Sequence, residues 1–139
     1  MHPRTILLAE PDTQLRAAWR AGLMAMDFQV LESGDGSTAL ATALRREVTL
    51  LITELYLPGT RERCLVRAAR REAGLRRVKI LVVSTHGAVE DRNWALAAGA
   101  DGYLVKPVPI SQMLQVASRL ATSRTPSRAE ARSGARHEA

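Results

Sequence analysis

Four residues able to do chemistry each stand at the end of a short apolar run. Glu10 follows Thr5-Ile6-Leu7-Leu8-Ala9, and Glu54 follows Val48-Thr49-Leu50-Leu51-Ile52-Thr53. Ser84 closes Val78-Lys79-Ile80-Leu81-Val82-Val83-Ser84, and Lys106 follows Gly102-Tyr103-Leu104-Val105. Two carboxylates, a hydroxyl and an ammonium gathered in one place could pair among themselves or hold a cation. A partly buried charge is costly to leave unpaired. Lys106 is one of two lysines, with Lys79, in a chain whose positive charge is otherwise arginine. A Glu54–Lys106 pair is therefore expected. Asp12 has two readings, a further acid in the same pocket or the cap of the helix that follows. The cap is preferred, because Asp is a favoured capping residue. A Ser84–His86 nucleophile is not supported, since no strained Gly-x-Ser-x-Gly turn surrounds Ser84. Gly34-Asp35-Gly36 lacks the Lys-Ser/Thr ending of a phosphate loop.

The runs that carry these residues read as strands, and the segments between them as helices. From Thr13, apolar residues fall at helical spacing: Leu15, Trp19, Leu23 and Met26. Residues 28–32 read as a second strand. Thr38 to Arg46 reads as a helix with Leu40 and Leu44 on one face. A very basic third helix is expected over about Glu62 to Ala73, a fourth over Val89 to Ala98 ended by Gly99, and a fifth over about Ile110 to Ala121. Strands alternate with helices five times, and the strands are continuous apolar runs. That pattern predicts an α/β fold, a doubly wound five-stranded parallel sheet with helices on both faces. In such sheets ligands sit at the carboxyl ends of the strands. Glu10, Glu54, Ser84 and Lys106 all fall at those ends.

The chain has 139 residues, 46% of them hydrophobic and 4% aromatic, which suits one domain with an aliphatic core. It contains one cysteine, Cys64, so no internal disulfide can form. No apolar run is long enough to span a membrane, and the opening residues lack the features of a signal peptide. A cytoplasmic protein is expected. The net charge is +6 and the pI about 10.6. Such a balance can attract polyanions, and Arg61, Arg63, Arg67, Arg70, Arg71, Arg76 and Arg77 crowd the third helix and its flanks. A solvated basic face is the more common meaning of such a run, so nucleic acid is not the expected partner. Residues 123–139 hold no large apolar residue. They are expected to form a disordered basic tail beyond a domain of residues 1–122, and their removal should barely change stability.

ILLAEPD, LLITELYLPG, ILVVST and AAGADGYLVKP resemble, in order and spacing, the signature segments of response-regulator receiver domains, over about residues 4–122. The resemblance implies the flavodoxin-like (βα)5 receiver fold and two-component, phosphorelay signalling in bacteria. It also implies a site where an Asp at the end of the third strand accepts a phosphoryl group from a histidine kinase. In the family, two acids after the first strand help bind Mg²⁺, and a Ser/Thr and a Lys contact the phosphoryl oxygens. An aromatic in the fifth strand shifts with activation. Ser84, Tyr103 and Lys106 match these positions. Pro107 matches the family's Lys-Pro, usually cis, and Pro58 matches the Pro after the acceptor.

Three positions depart. Glu54 stands at the phosphoacceptor position, Pro11 replaces one acid of the pair, and Tyr56 is bulky where smaller polar residues are common. Glu10 and Glu54 remain as metal ligands, so Mg²⁺ binding is expected to be weak or absent. The reading is a stand-alone pseudo-receiver, not an enzyme, acting through protein–protein contacts with a histidine kinase or a downstream signalling protein. A homodimer through the fourth helix, fifth strand and fifth helix is implied by the family alone. The competing readings are a conventional phosphate-accepting receiver that uses Asp12, a flavin-binding or enzymatic protein on the same fold, and a nucleic-acid module built on the basic helix and tail.

Overall fold

The computed structural model describes residues 4–59, 64–123 and 125–131. Five strands form one parallel sheet: β1 (Thr5–Ala9), β2 (Gln29–Ser33), β3 (Leu50–Thr53), β4 (Lys79–Ser84) and β5 (Gly102–Val105), in the order β2-β1-β3-β4-β5. Five helices connect and follow them: α1 (Thr13–Ala25), α2 (Gly36–Arg45), α3 (Leu65–Arg70), α4 (Val89–Ala98) and α5 (Ile110–Thr122). The expected doubly wound fold is the observed one. No helix among the described residues is long and apolar enough to cross a membrane.

The period-2 alternation of strand side chains divides the core. Ile6, Leu8, Leu50, Ile52, Leu81 and Val83 face α1 and α5, and meet Trp19, Leu23 and Met113. Leu7, Ala9, Leu51, Ile80 and Val82 face the other way, toward α2, α3 and α4. The central strands β1, β3 and β4 are buried at every position, while the edge strands β2 and β5 are not. Central strands of a parallel sheet are covered on both faces, which is why these runs are continuously apolar.

The helices differ from expectation in what they bury. On α2 the residues against the sheet are Ala39 and Ala43. Leu40 packs at the margin and Leu44 is exposed, so small side chains let this helix lie close. Met26 falls just past the end of α1 and is also exposed. The third helix stops at Arg70, short of Ala73, and its expected start at Glu62 lies outside the described residues. The chain then forms a 3-10 turn at Ala73–Leu75, and the Arg70 side chain points inward. Its guanidinium donates to the carbonyls of Leu75 (2.9 Å), Val78 (2.8 Å) and Gly99 (3.1 Å). It also pairs with Asp101 at 3.1 Å, both side chains less than a tenth exposed. Arg70 therefore does not belong to a basic surface. Arg61 and Arg63 lie outside the described residues. Gly99 closes α4 with φ 118, and a Cβ there would meet Arg70 Cγ at 2.7 Å. Backbone conformation and packing both require glycine.

The expectation of a free tail beyond residue 122 does not hold for the described part of it. Residues 128–131 form a helical turn, and Ser127 is fully buried. Polar contacts dock this segment: the Ser127 hydroxyl donates to the Arg76 carbonyl, and Arg128 N–H donates to Asp101 Oδ1 at 2.7 Å. Residues 124 and 132–139 lie outside the described part.

Candidate functional site

Parallel register brings the carboxyl ends of the central strands together. Glu10 leaves β1 with its N–H bonded to the Ser33 carbonyl of β2's last residue. Glu54 leaves β3 bonded to the Ala9 carbonyl, and Lys106 leaves β5 bonded to the Ser84 carbonyl. The backbone ladder thus extends one residue past the strands and fixes the origins of three charged side chains.

Those three side chains meet. The Lys106 ammonium lies 2.5 Å from Glu10 Oε1 and 2.8 Å from Glu54 Oε2. The remaining oxygens are also engaged: Asp12 N–H donates to Glu10 Oε2 and Leu55 N–H to Glu54 Oε1, each at 2.9 Å. Glu10 is 2% exposed. A single ammonium therefore bridges the two inward carboxyl groups. The Trp19 ring lies beneath, its centroid 5.9 Å from Lys106 Nζ, within cation–π reach. The expected Glu54–Lys106 pair is present, and Glu10 shares it.

Burial pushes the Lys106 pKa down, but hydrogen bonds from Glu10 and Glu54, and their charges, outweigh it and raise the pKa above the ordinary 10.5. A raised folded-state pKa means that the stability from this ammonium is fully present below the pKa of an unfolded lysine. It is lost as pH rises through the higher folded value. A ¹³Cε NMR titration should show Lys106 titrating above 10.5. A midpoint at or below 10.5 would contradict the triad.

Around the pocket, Tyr103 Oη donates to the His86 carbonyl at 2.5 Å, and the Ser84 hydroxyl accepts from His86 N–H at 3.2 Å. Burial raises the Tyr103 pKa; a hydrogen bond with Ser84 opposes this, and the charges of Asp91 and Glu54 reinforce it. Ser84 and Tyr103 thus converge on the β4–α4 loop. Tyr56 sets its ring edge-on against His86, 5.1 Å between centroids. The Lys106–Pro107 peptide is cis.

Asp12 is not in the pocket. Its carboxylate caps α1, accepting from the N–H groups of Gln14 and Leu15 at 3.0 Å. Those free N–H groups at the helix start are the nearest partners its short side chain can satisfy. Asp35 caps α2 in the same way, its pKa lowered by hydrogen bonds from Thr38. Sequence reasoning missed Arg16. Its guanidinium donates to the Glu10 carbonyl at 2.6 Å and lies 3.3 Å from Glu32. The only available signal was position, one helical turn past the cap on the side facing β2.

Mg²⁺ asks for near-octahedral oxygen ligands. Among the described residues no group of three or more His, Cys, Asp or Glu side chains converges as a metal site. The place between the two carboxylates is taken by Lys106, and the Pro11 side chain offers no oxygen.

The family model for the response regulator receiver domain matches residues 6–118. The response regulator protein PmrA of Pseudomonas aeruginosa is 35% identical over 124 residues, which cover 89% of this chain and 55% of that protein. The transcriptional activator protein PfeR of the same organism is 33% identical over 108 residues, 78% of this chain and 34% of that one. The chain thus spans between about a third and about half of these relatives. The receiver domain of the sensor histidine kinase PA1611 from P. aeruginosa, solved with magnesium in its active site cleft, superposes with a TM-score of 0.76 at 26% identity. That match covers 87% of this chain and 99% of that domain. The chemotaxis protein CheY4 of Vibrio cholerae shares the fold, with a TM-score of 0.76 at 24% identity over 85% of this chain and 98% of that one.

Proposed function

The chain belongs to the response-regulator receiver family, and on that premise we propose that it is a two-component signalling receiver in which Glu54 replaces the phosphoacceptor and Lys106 supplies the pocket's cation. The observation that carries this reading is the Lys106 ammonium seated between Glu10 and Glu54 at the carboxyl edge of the sheet. A carboxylate one methylene longer than aspartate reaches Lys106 without a phosphoryl group. The contact is partly buried and charge-assisted, a kind of bond that contributes about 1.5–3 kcal/mol. That is enough to bias a two-state element roughly tenfold or more.

The domain is thereby held in or near one signalling state, and it works by contact with protein partners, a histidine kinase or a downstream signalling protein. Tyr103 on β5 is bonded to the β4–α4 loop beside Ser84. Exposure of Acetyl phosphate-treated protein to intact-protein mass spectrometry, with Mg²⁺ present, should show no phosphoryl adduct; an adduct on any carboxylate of the pocket would overturn the proposal. A capture experiment comparing the chain with Glu54→Gln should lose its partners if the Glu54–Lys106 bond sets the state.

The metal is tested separately. Titration of Mg²⁺ followed by ¹H–¹⁵N NMR should move the Glu10, Glu54 and Lys106 amides little, without saturation at millimolar concentrations. Tight, stoichiometric binding at these residues would contradict the reading of Lys106 as the resident cation.

A further inference from the structure

At the opposite edge of the sheet, the segment after α5 is held by contacts that an unconstrained tail does not make. Lys79, 7% exposed at the start of β4, donates from its ammonium to the Ser123 carbonyl at 2.8 Å. Ser123 is the C-cap of α5, so this buried cation sits at the negative end of that helix. Four residues on, Ser127-Arg128-Ala129-Glu130 forms a capping box. Ser127 Oγ accepts from Glu130 N–H at 3.2 Å, and Glu130 Oε1 accepts from Ser127 N–H at 3.3 Å. The box has a second use for its serine, since the same buried hydroxyl donates to the Arg76 carbonyl.

The first N–H of the turn, that of Arg128, donates to Asp101 Oδ1 at 2.7 Å. Asp101 is the residue immediately before β5. Its other oxygen accepts from Arg70 and from Ile80 N–H. One carboxylate therefore joins α3, β4, β5 and the C-terminal segment.

We propose that this amino edge is a docking site for the chain's own Ser123 and residues 125–131, and that the docked segment is a clamp holding the end of α5 and the start of β5 to the α3–β4 side. The clamp is conditional. It is made of polar contacts with almost no large apolar surface, so its opening exposes little that water would reject, and it can open without the domain unfolding. It joins α5 and β5 at the edge away from the pocket, and β5 leads directly to Tyr103 and Lys106.

Two substitutions at one position separate the clamp from an ordinary tail. Arg128→Ala keeps the backbone N–H and should leave docking intact. Arg128→Pro removes that N–H, while proline is well tolerated at the first position of a helix, so the turn survives and only the Asp101 bond goes. Amide hydrogen exchange on the full chain reads the result. Arg128→Pro should speed exchange across 125–131 by about fivefold or more, as expected for loss of a bond to a charged group. Exchange should also rise in the last turn of α5 and at Lys79 and Ile80, with α1 and α2 unchanged. Ser127→Ala, which breaks the box and the Arg76 bond together, should act in the same direction. Equal exchange in Arg128→Pro and Arg128→Ala would overturn the proposal, as would acceleration confined to 125–131 with α5 and β4 unmoved. Circular dichroism of each variant establishes that the domain is folded before exchange is compared.

Discussion

A chain carrying both Glu54→Asp and Pro11→Asp is expected to take a phosphoryl group from acetyl phosphate in the presence of Mg²⁺, where the unaltered chain takes none. The first change withdraws the carboxylate by one methylene, out of the contact that now holds Lys106 at 2.8 Å. Lys106 can then turn to the oxygens of an incoming phosphoryl group. The second change places an acid beside Glu10, on the exposed loop before α1. Two carboxylates after β1 and one after β3 then face a common point, the ligand set that the present pocket lacks. A carboxylate oxygen of the aspartate at position 54 forms the new bond to phosphorus, the bond from phosphorus to the acetate oxygen breaks, and acetate leaves. Charge builds on the transferring oxygens, where Lys106 and a bound Mg²⁺ would neutralise it. Glu54→Asp alone should be slower than the double variant by at least about a hundredfold, because a metal supplies several kcal/mol of charge stabilisation. Intact mass reports the adduct. A folded double variant that binds Mg²⁺ and remains unmodified would break the correspondence between Glu54 and the acceptor. Circular dichroism of each variant establishes that the domain, including the α1 start that Asp12 caps, is folded before phosphorylation is compared.

The largest loss of stability should come from the opposite edge. Arg70→Ala or Asp101→Ala removes one member of a pair whose side chains are 8% and 7% exposed. Breaking such a pair leaves an uncompensated buried charge and costs about 3–5 kcal/mol. In a domain of this size that lowers Tm by about 10 °C or more. Burial already pushes the Arg70 pKa down against the pull of Asp101, so the ion is held by its partners and not by solvent. Arg70→Ala also strips donors from the carbonyls of Leu75, Val78 and Gly99. Arg70→Lys should recover little, because one ammonium cannot reach four acceptors spread over that distance. Replacing both residues by apolar ones should cost less than the sum of the single losses. Chemical denaturation measures all of these, and a loss under about 1 kcal/mol for Asp101→Ala would show that the pair is not a structural anchor.

The sheet was legible in the sequence because burial on both faces leaves little choice of residue: β1, β3 and β4 had to be continuous apolar runs, and they are. The pocket was legible for a related reason. Side chains just past the ends of parallel neighbours must share an edge, so Glu10, Glu54 and Lys106 could be gathered from order alone. That Glu10 joins the Glu54–Lys106 pair was not legible, because it depends on rotamers and on the N–H groups of Asp12 and Leu55. Arg70 was read with its surface neighbours because arginine carries the same charge whether it faces water or three carbonyls. The segment after α5 was misjudged for a similar reason. Its sequence holds no large apolar residue to signal docking, whereas Ser127, Arg128 and Glu130 dock through backbone groups and a capping box. The Ser-x-x-Glu spacing was in the sequence, but its partner, Asp101, is 26 residues before Ser127 and meets the turn only in the folded chain.

The Trp19 indole gives the pocket an optical readout. It is 2% exposed and rests under the Lys106 ammonium, so its emission is shielded from collisional quenchers and responds to the field of that charge. Trp94, 39% exposed on α4, is open to those quenchers. Acrylamide or iodide can therefore silence one indole and leave the other. The remaining light follows the position of a single lysine in the unlabelled protein, fast enough to time its movements.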